Sequence, residues 1–182
     1  MTRRHPQPPT RQPTPLASVV EPSIRVATYA DREPLSAFLG RLSPASAYQR
    51  FLTGLGAPSP RLLAALLPDR PAGGAMLAFL DEELVGHGLW ARLPGSPAAE
   101  IALVVGDRHQ RRGIGTALAG ALTAELVAHG IEDIEVFSST DNRAVARMVA
   151  RRAPDARREL DGPTTTYAFR AAAQTGALPR TA

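Results

Sequence analysis

Apolar residues recur along the chain with two periods, and the switches between them divide it into short strands and helices. Residues 24–29 alternate apolar and polar side chains, the period of a strand with one buried face. Asp31 stands where an N-cap belongs, with Pro34 in the first turn and Leu35, Phe38 and Leu39 on one helical face. After a break at Ser43-Pro44 a helix is expected over 45–52, and Ser59-Pro60 opens another that runs to Leu66 and ends before Pro68 and Pro71. Residues 76–80 and 84–93 are β-prone runs separated by Asp81-Glu82-Glu83, which predicts an antiparallel hairpin. A turn at Pro94-Gly95-Ser96-Pro97 leads into a further strand over 99–105.

Beyond that strand the pattern changes to helix and strand in alternation. Leu118, Leu122 and Leu126 mark a long helix over 116–129 stopped by Gly130, followed by a strand at 134–137, a helix at 143–151 and a last strand at 164–169. A meander followed by a β-α-β-α-β section predicts a mixed α/β (α+β) sheet with helices on its faces. The expected organisation is a disordered N-terminal tail over 1–22, rich in Pro, Thr and Gln, a single domain over 23–172, and a C-terminal tail over 173–182.

Composition narrows the class. A chain of 182 residues, 44% hydrophobic and 21% charged, fits one soluble globular domain. No run reaches the roughly 18 apolar residues that span a bilayer. Arg3, Arg4 and Arg11 are not followed by the apolar centre of a secretory signal. The absence of Cys removes disulfides and thiolate metal sites and fits a cytoplasmic location. The net charge is +4, and all 21 basic residues are Arg. A guanidinium suits an anionic ligand, while the abundance of Ala, Arg, Pro and Gly also matches a GC-rich coding bias. In either case the chain has no lysine of its own to modify.

The chemistry concentrates where the strand at 99–105 enters a loop rich in Gly and Arg and a helix starts at once: Gly106-Asp107-Arg108-His109-Gln110-Arg111-Arg112-Gly113-Ile114-Gly115-Thr116. Free N–H groups and the positive end of a helix dipole meet in such a turn and favour a phosphate. Gly113 and Gly115 remove side chains where a pyrophosphate must approach the backbone. A P-loop needs a Lys, which the chain lacks, and a dinucleotide fingerprint needs Gly where Leu118 stands.

Gln110-x-x-Gly113-x-Gly115 after a strand resembles the acetyl-CoA pyrophosphate motif of the Gcn5-related N-acetyltransferase (GNAT) superfamily, and the resemblance extends over 24–169 through the order of elements. It implies acetyl-CoA as co-substrate and a direct transfer of acetyl to a primary amine. It implies that the backbone of Arg111, Arg112, Gly113, Ile114, Gly115 and Thr116 holds the pyrophosphate with Gln110, and that Leu103, Val104 and Val105 pair with the pantetheine arm. Arg108 is a further candidate for the phosphates or a solvated side chain. Asp141-Asn142-Arg143-Ala144 is similar to the family's Asn-Arg-Ala segment, which makes Asn142 either a pantetheine contact or an N-cap. Met148 stands where many members carry a Tyr that protonates the leaving thiolate, and Ala153-Pro154 replaces the usual Gly-Phe.

Glu100 opens the strand that leads to this loop. Acyl transfer to an amine needs a base to remove a proton at or before attack, and Glu100 matches the position of that base in some GNAT enzymes. A narrower resemblance lies at Leu42-Ser43-Pro44-Ala45-Ser46-Ala47-Tyr48-Gln49-Arg50-Phe51, which is similar to a stretch of bacterial protein lysine acetyltransferases that act on acyl-CoA synthetases; the alternative is a structural helix break with Tyr48 and Phe51 in the core. His87 reads as a half-buried sheet histidine or a base facing the acceptor, Trp90 as core, and His109 as a solvated side chain of the loop. The dispersed histidines give a metal site no support, and scattered Arg without a helix-turn-helix pattern gives nucleic acid none. The expected partners are acetyl-CoA and an amine acceptor, either a protein lysine or a small molecule such as an antibiotic, with a homodimer left open and no membrane. A degenerate acyl-CoA-binding regulator is the non-enzymatic alternative.

Overall fold

A computed structural model describes residues 21–68 and 71–171. The tails expected over 1–22 and 173–182 lie outside the described residues, apart from residues 21 and 22.

Strand β1 (Ser23–Val26) leads into helix α1 (Arg32–Gly40), then α2 (Pro44–Phe51) and α3 (Pro60–Leu66). Strands β2 (Gly73–Leu80), β3 (Glu83–Arg92) and β4 (Ala99–Val105) form an antiparallel meander. Helix α4 (Ile114–Ala128), β5 (Asp133–Ser139), α5 (Arg143–Arg152), β6 (Arg157–Asp161) and β7 (Thr164–Arg170) complete the order. The sheet order is β1-β2-β3-β4-β5-β7-β6, antiparallel throughout except for the β4–β5 pair.

Local chemistry accounts for the helix starts. Ser43 and Ser59 each accept the N–H of the residue three positions on, Ser46 or Leu62, ahead of a Pro in the first turn, so both orphan donors and φ are settled. Gly130, with φ at +71°, takes the left-handed position after α4. Asp31 occupies the N-cap of α1, but its carboxylate turns back to accept from Thr28 N (2.8 Å) and Thr28 Oγ1, and it pairs with Arg25. It therefore ties α1 to β1 instead of capping α1.

Two apolar layers sandwich the sheet. On one face Ile114, Leu118, Leu122 and Leu126 of α4 pack on Val85, Trp90, Ala99, Ile101 and Ile134. On the other, Leu35, Phe38 and Leu39 of α1 and Leu66 of α3 pack on Leu77 and Val104. Gly88 allows α4 its close approach, since a Cβ there would stand 2.6 Å from Leu122 Cδ1. Trp90 is fully buried, as expected.

Three expectations are corrected. Tyr48 is 49% exposed and lies outside the core, because it follows the buried Ala47 on the outer side of α2, while Phe51 does pack against the α1 layer. His87 is wholly buried, not half-buried, since its strand runs beneath α3, whose Leu66 carbonyl accepts its Nε2–H at 2.9 Å. Finally, the penultimate strand β6 has no counterpart in the sequence reading: all five of its residues are exposed, so no apolar alternation marks it.

Candidate functional site

The site is created by a failure of pairing. β4 pairs with β3 along its whole length, and β5 with β7 along its whole length, but β4 and β5 share only Ala99↔Ile134 and Glu100↔Glu135. Beyond Glu100 the two strands part. The backbone of Ile101 to Val105 is left without a strand partner on that side, an edge that an extended ligand with amide groups can pair with.

The gap is a cleft of about 720 Å³, counted out to open solvent. Ile101, Ala102 and Leu103 form one wall, Val136, Phe137 and Ser138 the other; Asn142, Val145 and Met148 of α5 close one end, and Gln49 and Arg50 of α2 reach in from another. The lining is mainly apolar, as suits an alkyl-amide arm. Leu103 lines the cleft, whereas Val104 and Val105 are not part of its lining and are buried in the two core layers.

At the far end of β4 the loop turns into α4. Gly113 is the N-cap of α4 with φ at +86° and contributes no cap hydrogen bond, so the first-turn N–H groups of Ile114, Gly115 and Thr116 have no acceptor within the helix. Such free N–H groups at a helix start can hold an anion, in the turn where one is expected from the sequence. Around it, Arg108, Arg111 and Arg112 are exposed, and Arg111 also adopts a positive φ of 62°. A Cβ on Gly115 would meet Met148 Cε at 3.5 Å, an ordinary contact distance, so α4 and α5 pack closely at this glycine. These features fit a pyrophosphate followed by an amide-bearing arm.

Gln110 sits at the root of the loop, but its amide faces the protein: Nε2 donates to Val105 O (3.1 Å) and to Ser46 Oγ (3.0 Å). Of the two roles left open for Asn142, the N-cap is present. Its Oδ1 accepts Val145 N at 3.1 Å as the cap of α5, and the residue lines the cleft. His109 lies 3.5 Å from Glu83, with Arg112 at 3.4 Å on its other ring nitrogen, so it is held within the loop and not freely solvated.

Glu100 lies on the α2 side of the sheet, half-buried, at the last β4–β5 pair before the strands part. Burial raises its pKa; the Arg50 cation works against this and the Glu135 carboxylate adds to it. Burial draws the Arg50 guanidinium down to about 10, with Glu100 opposing, so it stays cationic at neutral pH. Its Nε is sealed from solvent without a hydrogen-bond partner, as is Oε1 of Gln49. His87, pulled down to about 4 by burial and then by Arg50, is neutral and does not line the cleft. Arg50 and Glu135 escaped the sequence reading as neighbours of Glu100, because only the packing of α2 and the β4–β5 register bring them there. No tyrosine lines the cleft among the described residues.

A mixed sheet parted at its centre, with a glycine-rich turn and helix N-terminus at the mouth of the opening, defines the acyl-CoA N-acyltransferase fold. Residues 44–153 match the family model for the acetyltransferase (GNAT) family, and the chain belongs to that family of acetyl-CoA-dependent N-acetyltransferases. Solved structures agree on the fold. The GNAT domain of S. lividans PAT superposes with a TM-score of 0.75 at 19% identity, covering 82% of this chain and 90% of that one. The Salmonella typhimurium acetyl transferase that modifies the N-terminal serine of 50S ribosomal subunit protein L7/L12 gives 0.66 at 20% identity, covering 82% and 95%. The PaiA N-acetyltransferase from Thermoplasma acidophilum, in complex with coenzyme A, gives 0.60 at 15% identity, covering 82% and 98%. No curated protein matches the chain in sequence.

Proposed function

We propose that this acetyltransferase moves the acetyl group of acetyl-CoA onto the side-chain amine of a protein lysine, with Glu100 as the general base. The observation that carries the reading is the parting of β4 and β5 immediately after Glu100. It sets a half-buried carboxylate, outside the lining itself but adjacent to the lining residue Ile101, next to a cleft whose free strand edge and helix N-terminus suit the pantetheine and pyrophosphate of one ligand. When bound, acetyl-CoA supplies the activated thioester. Within this reading, the N–H groups of Gly113 to Thr116 hold the diphosphate, Leu103 to Val105 pair with the arm through their backbone, and Asn142 orders the α5 side.

Glu100 takes the ammonium proton so that the amine attacks as a neutral nucleophile, and its raised pKa makes it the better proton acceptor. Support for a macromolecular acceptor comes from exposed aromatic side chains: Phe137 lines the cleft and is 46% exposed, and Tyr48, next to the lining residue Gln49 on α2, is 49% exposed. Those apolar surfaces suit a lysine stem and its flanking residues. The stretch around Tyr48 that resembles protein lysine acetyltransferases points the same way.

Met148 favours a second reading. A thioether holds no proton for a leaving thiolate, and no tyrosine replaces it in the cleft among the described residues, which is the arrangement of a CoA-binding regulator without turnover. One assay separates these. Purified protein is given acetyl-CoA with lysine peptides and, in parallel, a panel of small amines. Transfer to peptide is expected, with kcat reduced at least about 100-fold in Glu100→Gln while coenzyme A binding is retained. Transfer to small amines alone would overturn the lysine acceptor, and coenzyme A binding with no turnover on either panel would establish the regulator.

A further inference from the structure

A cluster of polar side chains ties the acceptor-side helix to the cofactor loop, and neither end of it is accounted for by the roles given above. Asp107, at the start of the loop, accepts three hydrogen bonds from the segment that opens α2: Ser43 N to Oδ2 (2.9 Å), Ser43 Oγ to Oδ1 (2.6 Å) and Ser46 Oγ to Oδ1 (2.8 Å). Ser46 Oγ in turn accepts from Gln110 Nε2, which also donates to Val105 O. The donor order is consistent throughout, since Ser46 gives its one proton to Asp107 and takes one from Gln110.

We infer that Asp107 and Ser46 are positioning residues, a clamp that fixes the cofactor loop and the inner end of α2 against each other before the ligand binds. The proposal rests on the assignment of the loop as the pyrophosphate site. Its physical basis is the poverty of other restraints on the loop. Gly106 N is bonded to Val85 O of β3 at 2.9 Å, but from Asp107 to α4 the backbone has only short-range bonds, His109 N to Gly106 O among them, and it passes through positive φ at Arg111 and Gly113. Beyond Gly106 the loop is therefore tied to the rest of the fold by side chains, by Asp107 and Gln110 at its root and by His109 beside Glu83. On the other side, Gln49 and Arg50 follow Ser46 by about one helical turn and line the cleft. One carboxylate thus sets two walls of the site. Burial opposes ionisation of Asp107, but the serine hydrogen bonds outweigh it and hold its carboxyl below the ordinary range, so the clamp is charged at neutral pH.

Ser43 is also the cap of α2, so its removal would confound loop order with helix stability. Ser46 hydroxyl makes no bond within its helix and is the cleaner probe. The test is isothermal titration of the full chain with coenzyme A, together with steady-state kinetics on acetyl-CoA and thermal unfolding. Asp107→Asn and Ser46→Ala are expected to weaken coenzyme A binding about tenfold, because the ligand must then order the loop. KM for acetyl-CoA should rise in step while kcat stays within a factor of about three, and Ser46→Thr, which keeps the hydroxyl, should bind like the parent. Wild-type protein that fails to bind coenzyme A would overturn the cofactor site itself. Wild type that binds, with folded Asp107→Asn and Ser46→Ala binding equally well, would overturn the clamp alone; if Asp107→Asn does not fold, Ser46→Ala decides.

Discussion

Glu100 works between two opposed charges, and that balance makes its role testable without deleting it. Arg50 of α2 favours the carboxylate, while Glu135, its partner across the last β4–β5 pair, disfavours it. A base acts in its deprotonated form, so the acid limb of kcat/KM follows its pKa. Arg50→Gln removes the stabilising cation and should move that limb to higher pH, while Glu135→Gln should move it to lower pH. Opposite shifts from two neutralising substitutions are hard to obtain from a general loss of packing, and a pH-rate profile of each variant on the same acceptor reads them directly. The place of Glu100 on the strand that feeds the glycine-rich loop was legible in the sequence. Arg50 stands in a stretch that the sequence singles out, yet its effect on Glu100 depends on α2 packing over β4 and β5, a contact between segments far apart in the chain.

At the scale of elements, capping and turn chemistry made α3 legible to the residue, because Ser59-Pro60 states its start and nothing long-range alters it. The same chemistry missed β6, whose Arg157-Arg158-Glu159-Leu160-Asp161 has no buried face and is a strand only by pairing with β7 across the Gly162 turn. The two glycines of the cofactor turn differ in the same way, one governed locally and one by its neighbours. Gly113 holds φ at +86° with nothing within 4 Å of where a Cβ would sit, so the cost of a side chain there is purely conformational. Gly115 sits in the first turn of α4, where a Cβ would meet Met148, Val105 and Leu103 at ordinary contact distances of 3.5 to 3.8 Å. Gly113→Ala should therefore cost about 1–2 kcal/mol of stability and distort the anion site, whereas Gly115→Ala should leave stability nearly unchanged. Urea unfolding with coenzyme A titration measures both, and equal loss in the two variants would contradict this division.

The whole molecule is a sheet whose α4-side apolar layer runs on to β5 and β7 while its α1-side layer stops at β4, and the join between its halves is the short β4–β5 contact. Element order alone made this architecture legible, since a meander followed by alternating helix and strand admits few arrangements. The length of the β4–β5 pairing was not legible, because register depends on what each strand packs against and not on its own alternation. Stability on the meander side has an electrostatic anchor that acid should release. Asp31, buried and bonded to Thr28, is held at about 2, first by the hydrogen bonds from Arg25 and then, against the cost of burial, by those from Thr28. Its folded pKa lies below the unfolded value of about 3.9, so the unfolded chain binds the extra proton between the two. The stabilisation is complete above the unfolded value and drains away as pH falls through about 2. Asp31→Asn should cost about 2 kcal/mol at neutral pH and flatten the fall of stability between roughly pH 5 and pH 2. Urea midpoints of the two proteins across that range test both halves of the prediction, and parallel curves would show that the β1–α1 corner does not carry the acid sensitivity of the fold.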